Sequence, residues 1–225
     1  MDKNPQEVAA MFDGVARRYD IVNDILSLGR TKAWRKAATK IIAPAPGMKI
    51  LDMAAGTGSS SAPLAATGAD VTAADFSEGM IAAGKKARPD LTFIRCDALN
   101  LPFEDNSFDL FTISFGLRNT QNTAKALAEA RRVVKPGGRL VVVEFSSPTF
   151  APFRAIYMNY LMRALPFIAG KTSSNPDAYI YLADSIRAWP DQKALASQIV
   201  DAGWTQVGWK NLTGGVVAIH MAVAP

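Results

Sequence analysis

The chain has 225 residues, 49% of them hydrophobic, which suits one large domain or a domain with a cap. A single cysteine, Cys96, excludes an internal disulfide and fits a reducing compartment. The net charge of +5 permits an anionic lipid or substrate without requiring one; Met1 to Pro5 lacks the apolar core of a secretory signal, and no apolar run reaches the roughly 18 residues of a membrane span.

Residues 6–20 read as a helix, with Val8, Met11, Phe12 and Val15 on one face and Tyr19 near its end. A second helix is expected from Arg30 to Lys40, where Arg30, Lys32, Arg35, Lys36 and Lys40 occur without an acid. Lys32, Lys36 and Lys40 share one face, which reads as a solvated basic surface, with contact to a membrane surface as the alternative. Pro44 and Pro46 close this N-terminal helical region, 1–46.

The next stretch, 47–147, alternates strand and helix: strands 49–54, 70–75, 91–96, 109–114 and 139–145, helices 59–67, 77–87 and 121–134. Such alternation predicts a doubly wound α/β sheet with mostly parallel strands, and Ser77 is placed to cap the helix after the second strand. Around Lys49 to Gly58 (KILDMAAGTG) an apolar strand carrying Asp52 runs into Gly56-Thr57-Gly58 and then into small residues. The glycines let the backbone turn sharply and approach a ligand at the carboxyl edge of the first strand. Ser61 stands where a dinucleotide fingerprint needs its third glycine, so that fingerprint fails. Asp75 closes the second strand, where an acid can accept hydrogen bonds from ribose hydroxyls, and Asp97-Ala98 follow the third, where adenine can be met. Together these describe a nucleoside site, and the pattern resembles the motifs of class I S-adenosyl-L-methionine (SAM) methyltransferases.

Position along a strand separates the remaining polar residues. Asp109 and Lys135-Pro136-Gly137-Gly138 open strands at the edge away from the ligand and read as structural, the glycines as a turn after a helix. Ser114 closes the fourth strand at the ligand edge, and Phe115-Gly116-Leu117-Arg118-Asn119 follows, bringing an arginine and an amide to that edge; Glu144, near the end of the fifth strand, can face the same place. From 148 to 190 the alternation stops. An apolar and aromatic run from Phe153 to Leu165 and a helix from Asp177 to Arg187 are expected as a helical lid insert, rich in the side chains a greasy substrate needs. The final region, 191–225, reads as a helix from Asp191 to Ala202 and a hairpin with strands near 206–210 and 216–223, the last antiparallel. His220, the only histidine, lies in that last strand and reads as structural.

Longer pieces carry a more specific signal: VARRYDIVNDILSLG (15–29), LDMAAGTG (51–58), TISFGLRN (112–119), RVVKPGGRLVVVEFS (132–146), YLADSIRAWPDQ (181–192) and NLTGGVVAIH (211–220). In these the chain resembles the demethylmenaquinone/ubiquinone-biosynthesis C-methyltransferase family, and ADFSEGM, LMRALP and SSNPDAY resemble its actinobacterial menaquinone branch. The resemblance implies a class I SAM-methyltransferase fold in a single domain, SAM as the cofactor and no metal. It implies a cofactor set of Asp52, Gly56, Thr57, Gly58, Asp75, Asp97, Ala98 and Ser114. It implies substrate-side roles for Arg118 and Asn119, which would steady a phenolate, and for Tyr19, a water-mediated proton acceptor. Demethylmenaquinol is the implied substrate, with no nucleic-acid partner, a cytoplasmic location with contact at the inner face of the cell membrane, and room for a homodimer. A benzoquinol of the ubiquinone pathway or another small lipophilic acceptor stays open as the substrate. Ser59-Ser60-Ser61, after the glycine turn, depart from many relatives and leave open how the methionine end of SAM is held.

Overall fold

The computed structural model describes residues 29–164 and 176–225. The expected helix over 6–20, with Tyr19, and residues 165–175 of the insert lie outside the described residues. In chain order the elements are α1 (Thr31–Ile42), β1 (Lys49–Met53), α2 (Ser61–Ala65), β2 (Asp70–Asp75), α3 (Glu78–Ala87), β3 (Thr92–Arg95) and β4 (Phe108–Ser114). They continue with α4 (Thr123–Val133), β5 (Val134–Phe145), α5 (Ala151–Asn159), α6 (Pro176–Ala188), α7 (Gln192–Asp201), β6 (Thr205–Leu212) and β7 (Val217–Val223).

The strands form one seven-stranded sheet in the order β3-β2-β1-β4-β5-β7-β6. Strands β1 to β5 run parallel, and β7 is antiparallel to both its neighbours, β5 and β6. This is the doubly wound sheet that the alternation predicts, with the antiparallel last strand expected from the C-terminal hairpin. The central strands are apolar on both faces because helices cover both. Ile50, Leu110, Val141 and Ile219 pack on one side with Trp34, Ala38 and Ile42 of α1; Leu51, Phe111, Leu140 and Val142 pack on the other with Leu127 and Ala130 of α4 and Leu195 of α7. Within α1 the period explains the split: Trp34, Ala38 and Ile42 are buried, while Lys32, Lys36 and Lys40 stay exposed. Arg139 of β5 closes the end of this helix, its Nη2 donating to the Ile42 carbonyl at 2.6 Å.

Side-chain caps start the helices where chemistry favours them. Ser77 Oγ accepts from the Met80 amide, Asn122 Oδ1 from Lys125 and Asp191 Oδ1 from Ala194, each cap contributing about 1 kcal/mol. Among the expected boundaries that shift, two have a visible cause. Helix α2 is shorter than 59–67, because residues before Ser61 are spent on the glycine turn. Strand β5 starts at Val134 rather than 139: Val134 pairs with Phe108, a bulge follows, and the Gly137 amide and Gly138 carbonyl bond to Ala224 beyond β7. The two glycines therefore continue the sheet instead of ending a helix.

Candidate active site

The strand order reverses between β1 and β4, and a crevice opens beyond the carboxyl ends of strands at such a point. The loops after these two strands press together there. A Cβ on Gly116 would fall 2.3 Å from Ala54 Cβ, so only glycine lets the β4 loop cross the β1 loop. Ala54 (φ 56°) and Phe115 (φ 58°) both adopt left-handed backbone, uncommon for residues with side chains and costing on the order of 1 kcal/mol each. The Phe115 amide is held by the Val143 carbonyl at 2.8 Å.

On the β1–β3 side, Asp52 is fully buried beneath the glycine turn. Its Oδ2 accepts from Ser60 Oγ and Ser61 Oγ, both at 2.7 Å, while its Oδ1 finds no partner among the described residues. Burial pushes the Asp52 carboxyl up to about 6; the two serine hydroxyls pull it down, and Asp75 nearby raises it further. The three serines thus have a visible use: two of them tie the turn to the strand acid. Asp75 holds the same turn from the next strand, its Oδ2 accepting from Gly56 N at 2.8 Å and its Oδ1 from Ser77 N at 2.9 Å. Gly58 has φ 84°, and a Cβ there would lie 2.9 Å from Phe93 Cζ, so the turn needs glycine for conformation and for room. Gly56 (φ 57°) meets nothing closer than Met80 Sδ at 3.9 Å. Thr57 and Ser59 hydroxyls lie 3.1 Å apart. Beyond β3, Asp97 Oδ1 accepts from the Leu99 amide and Ala98 is buried.

On the β4–β5 side, a 3-10 turn over Leu117–Asn119 carries the polar pair. Arg118 points inward and is 3% exposed. Its Nη1 donates to Glu144 Oε1 at 2.9 Å and to the Phe115 carbonyl, and its Nε to Ser185 Oγ of α6 at 3.4 Å. Its guanidinium also lies 5.1 Å from the centre of the Phe145 ring. Of five guanidinium hydrogens, the two on Nη2 have no partner among the described residues. Glu144 Oε1 also accepts from Phe145 N at 2.8 Å, and Oε2 from Arg118 N at 3.3 Å. Burial raises the Glu144 carboxyl from its ordinary value, and the Arg118 charge and these amides draw it back. Asn119 Oδ1 accepts from the Tyr181 hydroxyl of α6 at 3.2 Å.

The structure therefore brings Asp52, Gly56, Thr57, Gly58 and Asp75 to one side of the crevice, Ser114, Arg118 and Asn119 to the other, and Asp97-Ala98 to the end of β3; Tyr19 lies outside the described residues. It adds Tyr181 and Ser185, which sequence reasoning missed. Their signal was two hydroxyls four residues apart, hence on one face of a helix whose charged residues Asp184 and Arg187 pair with each other. His220 is 1% exposed and lies far along β7, opposite Val142; burial keeps its ring neutral, and Nε2–H donates to the Gln192 carbonyl at 2.8 Å, tying down the start of α7. Among the described residues, no group of three or more His, Cys, Asp or Glu could hold a metal ion.

Solved structures share this architecture. A SAM-dependent methyltransferase from Aquifex aeolicus superposes with a TM-score of 0.61 at 18% identity, over 85% of this chain and 89% of that one. Phosphoethanolamine N-methyltransferase 2 from Haemonchus contortus, solved with S-adenosyl-L-methionine, gives 0.64 at 16% identity, over 85% of this chain and 52% of that one. The sequence is much nearer to curated relatives: demethylmenaquinone methyltransferase of Renibacterium salmoninarum is 60% identical across 99% of this chain and 94% of its own length. The enzyme of the same name from Mycolicibacterium paratuberculosis is 58% identical across 100% of this chain and 97% of its own. Residues 1–224 match the ubiE/COQ5 methyltransferase family. With crevice, glycine turn and polar turn in place on a class I methyltransferase sheet, the chain belongs to the ubiE/COQ5 methyltransferase family.

Proposed function

We propose that the chain methylates a ring carbon of a prenylated hydroquinone, converting demethylmenaquinol to menaquinol with SAM as methyl donor. The observation that carries this is the match to demethylmenaquinone methyltransferases at 58–60% identity, which leaves almost no part of the chain unaccounted for.

The residues of the β1–β3 rim fit that donor. Asp52 keeps one buried carboxylate oxygen without a partner among the described residues, a complement for the ammonium of an amino-acid group. Gly56 leaves backbone open to close approach, and Asp75 and Asp97-Ala98 stand at the strand ends where ribose and adenine belong. When bound, SAM supplies a methyl group made electrophilic by its sulfonium.

The acceptor side must make a ring carbon nucleophilic. A free phenol ionises near ~10, so the site must favour its phenolate. Arg118 cannot accept the proton, but its two Nη2 hydrogens, without a partner among the described residues, belong to a guanidinium fixed at three other points, and they suit a phenolate oxygen. Glu144 balances the buried charge and fixes its direction, so little reorganisation is left for the reaction. Asn119 adds an amide to the same oxygen. Tyr19 remains the residue we assign to take up the proton through a water. The prenyl tail asks for a lipid surface; exposed Phe150 and Ile156 at α5 and the lysines of α1 support a peripheral contact there.

The test is turnover by purified protein with methyl-labelled SAM and a reduced demethylated naphthoquinone beside a benzoquinol. Label is expected in the naphthoquinol. Label retained in SAM with both quinols present defeats the reading, and transfer to the benzoquinol alone moves it to the ubiquinone-pathway substrate.

A further inference from the structure

Helix α6 presents Tyr181 and Ser185 one turn apart on one face, and both end on the turn Leu117–Asn119. The two contacts differ in consequence. Arg118 is already held by Glu144 and the Phe115 carbonyl, so Ser185 adds one more restraint to a fixed side chain. Asn119 has no such redundancy. Among the described residues the Tyr181 hydroxyl is the only partner of its side-chain amide. An amide has one accepting end and one donating end of nearly equal shape, so a hydrogen bond on one end decides what the other presents.

We infer that Tyr181 is a positioning residue for methyl transfer: its hydroxyl engages Asn119 Oδ1 and thereby turns the amide hydrogens, not the carbonyl oxygen, toward the ring oxygen of the substrate. The inference rests on the proposed role of Asn119 at that oxygen. Burial raises the Tyr181 phenol above its ordinary value, so the hydroxyl keeps the hydrogen that it donates to Asn119 Oδ1. Released from it, the amide can rotate and set a carbonyl oxygen against a developing phenolate, where a donor is needed.

A double-mutant cycle on the full chain tests the direction of the amide, with SAM and a reduced demethylated naphthoquinone as substrates. Tyr181→Phe removes one hydroxyl and is expected to lower kcat about 10-fold, as loss of a single orienting hydrogen bond does, with KM for the quinol and affinity for SAM within about 2-fold of wild type. In an Asn119→Ala background the same substitution is expected to remove nothing further. Asn119→Asp keeps the oxygen that Tyr181 holds and replaces the amide hydrogens with a second oxygen, so it is expected to fall at least as far as Asn119→Ala. Wild-type kcat in Tyr181→Phe, an equal loss from Tyr181→Phe in both backgrounds, or an active Asn119→Asp each overturns the inference. Full turnover by Asn119→Ala brings down the assignment of Asn119 itself, a separate result. Asn119→Ser replaces Asn119→Ala should the alanine variant fail to fold.

Discussion

Asp52 and Asp109 lie on adjacent strands at opposite ends of the sheet, and their surroundings could hardly differ more. Asp109 stands second in β4, at the amino edge, with a side chain 34% exposed. Its Oδ1 takes Lys135 Nζ at 2.7 Å and its Oδ2 the Lys49 amide at 2.8 Å, and the Lys135 hydrogen bond holds its carboxyl below the usual range. Asp52, near the end of β1, is fully buried, has one oxygen with no partner among the described residues, and is pushed up to about 6. A carboxylate with both oxygens engaged is finished as structure. A buried one left half-satisfied carries a standing cost that a cationic ligand group can relieve.

The carboxyl edge should therefore respond to substitution in function and the amino edge only in stability. The largest effect is expected from Arg118→Ala. Turnover should fall by about 100- to 1,000-fold, the range for loss of a donor to a developing oxyanion, with SAM affinity little changed. The same variant strands the Glu144 charge, lowering stability by about 3–5 kcal/mol. Adding Glu144→Gln should recover melting temperature without recovering turnover. Equal losses of turnover and SAM binding, read by calorimetry beside the kinetic assay, would refute the role of Arg118.

Asp52→Asn comes next, and here affinity and stability should move in opposite directions. The folded carboxyl sits above its ordinary 3.8, so the folded chain holds a proton the unfolded chain has released. Ionising Asp52 thus removes stability as pH rises from about 3.8 to about 6, and a penalty on the order of 3 kcal/mol is complete at pH 7. The asparagine should melt higher than wild type at pH 7, with the gap closing toward pH 4. It should also bind SAM about 10- to 100-fold more weakly, as loss of a charged hydrogen bond does. Wild-type SAM affinity should decline below about pH 6 as the carboxyl protonates, and the variant should lose that dependence. Unaltered SAM affinity in Asp52→Asn would dissolve the contrast between the two acids.

The smallest effect is expected at the other edge. Asp109→Asn weakens a partly exposed ion pair and should lower stability by about 0.5–1 kcal/mol, measured by urea denaturation, with turnover unchanged. A change in kcat there would show that strand-end position does not separate function from structure in this sheet.

Much of this was legible in the residues. The alternation of strand and helix, the glycine turn, the cap at Ser77 and the placing of Asp52, Asp75 and Ser114 along their strands are local properties, set by side-chain period and by backbone conformations only glycine adopts freely. They also located Phe115 to Asn119 at the end of β4. The boundary shifts arose where a local rule met a distant partner: Gly137-Gly138 looks like a helix stop until Ala224 arrives to pair with it.

What the tertiary structure alone decided is the direction of the polar side chains. Sequence brought Arg118 and Asn119 to the right edge but could not say that the arginine turns inward onto Glu144, 26 residues away, or that α6 reaches back across 62 residues to Asn119 and 67 to Arg118. A donor's partner is chosen by packing in three dimensions, and helical or strand period carries no information about contacts so far apart in the chain. The unpartnered oxygen of Asp52 is of the same kind: the letter D marks a carboxylate, and only the folded core shows that two serines take one oxygen and leave the other unbonded among the described residues.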